Sequence, residues 1–330
     1  MREYKAGIVP ATTQMGRELL EWLGKWHFPA TIMLFDEAVD RKTMKEHHGK
    51  LYGHYPPNTA LFETCDILFD CDEEHPLSLP SSEKIYIIHL HNQKSIGKLV
   101  IPSLNIAQLN PTDHKIQIPF AAFMLFAAIY GVIEKYQQVN QAIMTSLHSV
   151  AEMGDDACMD LANQLRAYEQ GESIESKWFP LPDVHPHLPL LFQALPQTSY
   201  FTLNGESQEE QLFHRYAACL GYDLALSLTC VRTASLRGLS ISMSFLCDDE
   251  IHLDELVDAF SSDPSMICFD DIQHNMYPIC ADVIHDYRIY IGRMRKSDSH
   301  TFTAWAVCDD LAIRCSAAIK CAFYILHNFL

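Results

Sequence analysis

Ala6-Gly7-Ile8-Val9-Pro10-Ala11-Thr12-Thr13-Gln14-Met15-Gly16-Arg17-Glu18-Leu19-Leu20 runs from a short apolar segment through a turn into a helical pattern. Ile8 and Val9 read as a buried strand, and Pro10 to Gly16 as the turn. After it Met15, Leu19, Leu20 and Leu23 share one helical face, with Arg17, Glu18 and Glu21 on another. Thr31 to Phe35 reads as a second strand, closed by the acidic pair Asp36-Glu37. Ile67-Leu68-Phe69 and Ile85-Tyr86-Ile87-Ile88 read as further buried strands. Strands alternating with helices argue for an α/β fold with a parallel sheet and right-handed crossovers.

Further along, Phe120 to Tyr136 is apolar nearly all round, which predicts a helix buried between domains. The proline-rich stretch Trp178 to Pro196 predicts a long irregular excursion over the surface. Leu239-Ser240-Ile241-Ser242-Met243-Ser244-Phe245 alternates, as a half-buried antiparallel strand does. Arg288 to Met294 and Thr301 to Val307 have strand character, and Leu311 to Leu330 closes the sequence as an apolar helix. A length of 330 residues predicts two domains, and 48% hydrophobic against 20% charged residues predicts a real core.

The net charge of −18, from 42 acidic and 24 basic residues, repels nucleic acid and anionic lipid. It also disfavours long-range capture of a polyanionic cofactor, although by itself such a charge is best read as a solubility device. The opening residues carry no charged-then-apolar signal segment. Phe120 to Ile133 is too short for a membrane span, which needs about 20 residues. Eleven cysteines without a repeated spacing suit free thiols in a reducing compartment. The expectation is a cytoplasmic protein with neither nucleic acid nor membrane as partner.

The opening stretch resembles the start of aspartate-semialdehyde dehydrogenases, where a strand leads into Gly-Ala-Thr-Gly-x-Val-Gly and then Arg-Glu-Leu-Leu. Three later runs match that family in order: Thr229-Cys230-Val231-Arg232, Tyr290-Ile291-Gly292-Arg293-Met294-Arg295, and Trp305-Ala306-Val307-Cys308-Asp309-Asp310-Leu311. The match spans essentially the whole chain, with a compressed stretch around residues 70 to 110, and is similar in kind to the degenerate Usg-type paralogues. It implies a Rossmann-type NAD(P)-binding domain at residues 1–115 plus 311–330. An α+β dimerisation domain with a mixed sheet at 116–310, and a homodimer, are implied with it.

The same resemblance exposes what is missing. Pro10 stands at the first glycine of the family's phosphate turn and Thr13 at the second; Gly16 alone is kept. Pro10 lacks an amide donor, and Thr13 puts a branched side chain in the path of the pyrophosphate. Gly16 serves helix–strand packing. Asp36 suits a ribose hydroxyl, or is simply a solvated loop acid. Asn110-Pro111-Thr112-Asp113-His114-Lys115-Ile116-Gln117 aligns with the family's nucleophile run and places Asp113 at the cysteine. A carboxylate cannot form the thiohemiacetal that expels hydride. Asp113 beside His114 reads as a polar turn before an acid/base pair. Leu239 stands where the family has its general-base His, and leucine moves no proton.

His148 replaces the substrate-orienting Gln, and Glu152 and Met153 fill a turn that is glycine-rich in the family. Arg232 matches the arginine that grips the substrate carboxylate; it fits that role or that of a buried partner to an acid equally well. Glu210 matches one acid of a Glu-Glu-x-Lys stretch whose phosphate-binding Lys is Leu212 here. Cys65, Cys71 and His75, His89 and His91, and His185 and His187 lack the paired spacing of a structural zinc site, so no metal is expected. Cys219, Cys230, Cys247, Cys268, Cys315 and Cys321 read as small core residues. The sequence predicts a non-catalytic homodimer that needs no cofactor and has room for a small carboxylate ligand at most. The alternative is an NADP- or NAD-dependent oxidoreductase working through non-standard residues.

Overall fold

The computed structural model describes residues 3–71, 84–91 and 97–330. The chain forms two compact units, Met1–Phe120 with Arg314–Leu330, and Ala121–Ile313. The first contains strands β1 (Tyr4–Val9), β2 (Ala30–Phe35), β3 (Thr43–His47), β4 (Lys50–Tyr55), β5 (Ile67–Asp70), β6 (Tyr86–His89), β7 (Lys98–Leu99) and β8 (Lys115–Gln117). Helices α1 (Gln14–Lys25), α2 (Thr59–Phe62) and α3 (Pro102–Asn105) connect them. The sheet order is β3-β4-β2-β1-β5-β6-β8-β7. Every pairing is parallel except β3 with β4.

The parallel core is what the apolar runs predict. Ala6, Ile8 and Val9 of β1 are fully buried, and Gly7 sits so tightly that a Cβ would lie 2.7 Å from Leu68 and 2.8 Å from Phe35. Phe35 packs edge-on against Phe62 at 4.9 Å in a cluster with Val9, Met33, Cys65, Leu68, Ile85 and Ile87. The β3–β4 hairpin was not legible in the sequence. Its strands carry Lys45, Glu46 and Lys50 with little apolar alternation, and only the His48-Gly49 turn, with both φ positive, marks it.

Met15, Leu19, Leu20 and Leu23 of α1 are buried as predicted, but Glu18 is buried with them. Its carboxylate accepts from the Trp22 indole N–H at 2.9 Å, one turn on, so a residue expected at the surface is satisfied inside. Gly16 is the contact point of helix and strand. A Cβ there would stand 2.3 Å from the Pro10 carbonyl oxygen and 2.9 Å from Ala11 Cα, backbone that cannot yield cheaply.

The second unit contains α4 (Ala121–Ile133), β9 (Val139–His148), α5 (Asp155–Glu169), β10 (Ala194–Leu195), α6 (Gln208–Cys219), β11 (Ala225–Thr233) and β12 (Leu239–Cys247). It continues through α7 (Leu253–Ser262), β13 (Met266–Cys268), α8 (Cys280–Val283), β14 (Ile289–Lys296) and β15 (Thr301–Cys308), and α9 (Asp310–Asn328) leads into the first unit's closing segment. The seven-stranded sheet has the order β10-β11-β9-β12-β15-β14-β13 and is mixed. β11 with β9 and β13 with β14 are parallel, and the other pairs are antiparallel. α4 is apolar all round because sheet and helix both pack on it. Phe126 stacks with Phe245 of β12 at 5.9 Å, and Phe123 meets Phe213 of α6 at 4.9 Å.

The opposite face of this sheet is open in the isolated chain. Thr145, Thr229 and Ser242 lie on it at the same level of three adjacent strands, Ser227 pairs with Ile143 two residues along, and Ile143 is 52% and Leu246 41% exposed.

Two sequence expectations need correction. The stretch from Trp178 to Pro196 is irregular, as predicted, but it does not merely cross the surface. Phe179 and Leu190 are fully buried against Val150, Ala157 and Leu161, and Gln164 Oε1 accepts from the Leu190 and Leu191 amides. Cys219 is exposed and Cys268 half-buried, so only part of that cysteine set is core. No helix among the described residues is long and apolar enough to cross a membrane.

Candidate active site

The turn between β1 and α1 is occupied by its own side chains. Thr13 caps α1: its hydroxyl accepts from the Gly16 amide at 3.1 Å and donates to the Pro10 carbonyl at 3.1 Å. The Ala11 amide bonds the Phe35 carbonyl at 3.0 Å, and the Thr12 amide bonds Asp36 Oδ1 at 2.8 Å. In a dinucleotide turn these amides and this helix end would face phosphate. Here Ala11, Thr12 and Gly16 each have a partner within the chain. Asp36 is neither a solvated loop acid nor an open ribose acceptor. It is 2% exposed, and besides Thr12 it holds His54 of β4 through Nε2.

Asp113 closes a turn. Its Oδ2 accepts from the Asn110 amide at 2.9 Å and from Lys98 Nζ at 3.0 Å. Partial burial pushes its pKa up, but those two donors outweigh the burial and hold the carboxyl below its ordinary value. His114 turns elsewhere, to the Ile85 carbonyl at 3.3 Å, and stacks on Tyr86 at 4.8 Å. The two neighbours have separate partners.

The second unit gathers a cluster of buried charged groups. β9 and β11 run parallel and end side by side, with His148 opposite Arg232. Both are buried, at 0% and 3% exposure. A 3₁₀ turn at Val150–Met153 brings Glu152 back over them. Glu152 Oε2 lies 2.7 Å from His148 Nδ1 and 3.0 Å from Arg232 Nη1. Arg232 also donates to the Ser149 and Thr198 carbonyls. His148 Nε2 is 2.8 Å from Ser146 Oγ, and Glu209 stands 3.5 Å from Nδ1.

This arrangement sets the charge states. Desolvation works to lower the His148 pKa, but Glu152 and Glu209 outweigh it and keep it well above the ordinary value. Burial would raise Glu152; the His148 and Arg232 charges instead pull it down to about 2. His148 is therefore an imidazolium at neutral pH, donating from both nitrogens. Cys230 is the thiol nearest this cluster, and burial, followed by the Glu209 charge, pushes its pKa up. It stays a thiol, the unreactive form. Nearby, desolvation and then the Glu152 and Asp309 charges raise Asp310 to about 6, with Ser149 Oγ donating to it at 3.0 Å.

The remaining sequence candidates have structural surroundings. Leu239 is fully buried at the start of β12, opposite Cys308. Glu210 forms a capping box with Ser207 and accepts from the Cys230 amide at 3.2 Å, so both its oxygens serve α6 and β11. The turn residues Pro10, Thr13 and Gly16 come together, as do His148, Arg232 and Glu210 through Cys230. From the sequence Glu152 reads as a filler of space and Cys230 as a small core residue, which it is, while Glu209 and Ser146 carry no signal. The pairing of β9 with β11 was the missing information. Of the histidines and cysteines weighed for metal, Cys65 packs on Met33, and His187 bonds the Pro182 carbonyl at 3.1 Å. His75 lies outside the described residues.

A Rossmann-like parallel sheet joined to a mixed-sheet unit with this charge cluster defines a class, and comparison with known proteins fixes it. Residues 130–313 match the family described as "Semialdehyde dehydrogenase, dimerisation domain", and the chain belongs to the semialdehyde dehydrogenase family. It is 28% identical to the aspartate-semialdehyde dehydrogenase of Bacillus subtilis over 94% of this chain and 93% of that protein. It is 25% identical to that of Helicobacter pylori strain J99 over 99% and 100%. Its fold matches aspartate semialdehyde dehydrogenase II from Vibrio cholerae with a TM-score of 0.88 at 17% identity, covering 100% of both chains.

Glu152→Gln should leave the buried Arg232 without its counter-charge and His148 with only the more distant Glu209, costing about 3–5 kcal/mol. The pH dependence has a fixed sign. The raised His148 pKa contributes stability present below its ordinary 6.5 and lost as pH rises through the folded value. The depressed Glu152 pKa contributes stability present above 4.5 and lost as pH falls towards about 2. Urea unfolding of wild type and variant should differ most between pH 4.5 and 6.5, and NMR titration should show the His148 pKa falling in the variant. An unchanged His148 titration would disprove the coupling.

Proposed function

We propose that this chain is a non-catalytic homodimer of the semialdehyde dehydrogenase family, with its cofactor turn and substrate pocket filled by its own side chains. The observation that carries this reading is the Glu152 carboxylate on Arg232. At the position where the family grips a substrate carboxylate, a side chain of the chain itself supplies one. Asp113 and Leu239 at the nucleophile and base positions, and Thr13 on the Gly16 amide, support it further. Loss of several members of a catalytic unit together is the pattern of relaxed constraint, because each later loss costs little once the first has occurred.

Within the family we group the chain with the degenerate Usg-type paralogues. We place it in the cytoplasm, where its free thiols stay reduced. The competing reading is an NAD(P)-dependent oxidoreductase acting on an aldehyde or acyl phosphate. The retained Arg232 and the full-length likeness to proteins named aspartate-semialdehyde dehydrogenase favour that reading.

Assay with aspartate semialdehyde, phosphate and NADP separates the two. No substrate-dependent NADPH is expected, nor any after Asp113→Cys with Leu239→His, because Pro10 and Thr13 still stand in the cofactor turn. Turnover at ordinary enzyme rates, about 1 s⁻¹ or faster, would establish the oxidoreductase. The dimer is tested independently. The open sheet face with Ile143 and Leu246 suits cover by a second copy, since obligate interfaces resemble a core cut in half. Sedimentation at micromolar concentration should give a dimer, and Ile143→Asp should shift it to monomer. A wild-type monomer would rule that assembly out.

A further inference from the structure

Asp70 ends β5 and His89 ends β6, and the two residues are register partners in the parallel sheet. His91 follows two residues later. None of the three has a role in the site described above, and all are buried, at 3%, 2% and 1% exposure. Their donor atoms converge on one point. Asp70 Oδ2 is 2.8 Å from His89 Nδ1 and 2.9 Å from His91 Nε2, and the two nitrogens are 3.2 Å apart. Gln117 of β8 fixes the backbone beneath them, its Nε2 donating to the His91 carbonyl at 2.9 Å. The cluster lies at the carboxyl ends of the parallel strands, where sheets of this type present their ligand-binding groups.

We propose that Asp70, His89 and His91 form a binding site for a divalent transition-metal ion, of which zinc fits best. Two imidazole nitrogens and one carboxylate oxygen are the donor set that zinc and its first-row neighbours accept. Donors held about 2.0–2.2 Å from a tetrahedral ion stand roughly 3.3 Å apart, so each pair here opens by at most about 0.5 Å to admit one. Two imidazoles turned on a single carboxylate oxygen would each need a proton there; an ion replaces both protons and binds all three atoms at once. Spacing alone hides the site, because His89-Leu90-His91 lacks a second close ligand pair. Asp70 joins it only through the adjacency of β5 and β6.

Among the described residues, two other groups compete for metal in solution. Glu21, His47 and His48 lie near the surface, and His148, Glu209 and Cys230 include an imidazole already committed to Glu152. The test therefore uses the full chain, stripped with chelator and titrated with Co²⁺, which colours according to its ligands. One equivalent should bind with the visible bands of nitrogen and oxygen ligation and no sulfur charge-transfer band. His91→Ala should lower affinity by more than roughly 100-fold, while His48→Ala leaves it unchanged. X-ray absorption of the zinc-loaded wild type should show only nitrogen and oxygen neighbours near 2.0–2.1 Å, an outcome independent of whether a variant folds. Failure to bind one equivalent, binding retained by a folded His91→Ala, loss in His48→Ala, or a sulfur neighbour would each overturn the proposal. None of these outcomes bears on turnover, so the metal site and the functional reading stand or fall separately.

Discussion

Arg232 is a permanent cation taken almost wholly out of water at the end of β11, and a cation so placed needs a counter-charge and hydrogen-bond acceptors within reach. Glu152 supplies the charge, and the Ser149 and Thr198 carbonyls supply acceptors. The consequences spread outward. The Glu152 carboxylate also meets His148 at 2.7 Å, which keeps that imidazole charged. The same negative charge contributes to the raised pKa of Asp310. The 3₁₀ turn carrying Glu152 hydrogen-bonds from the Val150 and Ala151 amides to the Ser235 and Leu236 carbonyls. That turn ties the end of β9 to the segment between β11 and β12.

The β1–α1 turn obeys the same constraint in a different currency. Backbone donors at a helix start must be satisfied by solvent, ligand or side chain. Thr13 satisfies Gly16, and Asp36 satisfies Thr12 while holding His54 of the edge hairpin. On the reading proposed above, both places vacated by ligand chemistry have been refilled by short-range polar contacts. The framework around them is tightly packed, because Gly16 leaves no room for a Cβ beside the Pro10 carbonyl and α1 buries its apolar stripe.

Much of this architecture is legible in the sequence because it rests on period and order. The apolar runs of β1, β2, β5 and β6, the alternation of β12 and the uniformly apolar α4 each follow from local pattern. The co-linear motifs that end in Arg232 and Asp309-Asp310 supply the family. What escaped depends on contacts between distant segments. Nothing local says that a hairpin with so little apolar alternation will close the sheet edge beside Asp36. The role of Glu152 needs the parallel pairing of β9 with β11, and the Asp70–His89–His91 cluster needs the pairing of β5 with β6.

A chain with its own side chains in this turn should not admit a dinucleotide along Pro10 to Gly16. Crystals grown with millimolar NADP, and separately with NAD, answer this directly. The expected result is Thr13 still bonded to the Gly16 amide, Asp36 still bonded to Thr12 and His54, and no ordered pyrophosphate along the turn. A sulfate, chloride or water at the α1 terminus would be compatible with that result, since the helix keeps its positive end. Density for a pyrophosphate running along Pro10 to Gly16 would contradict the account.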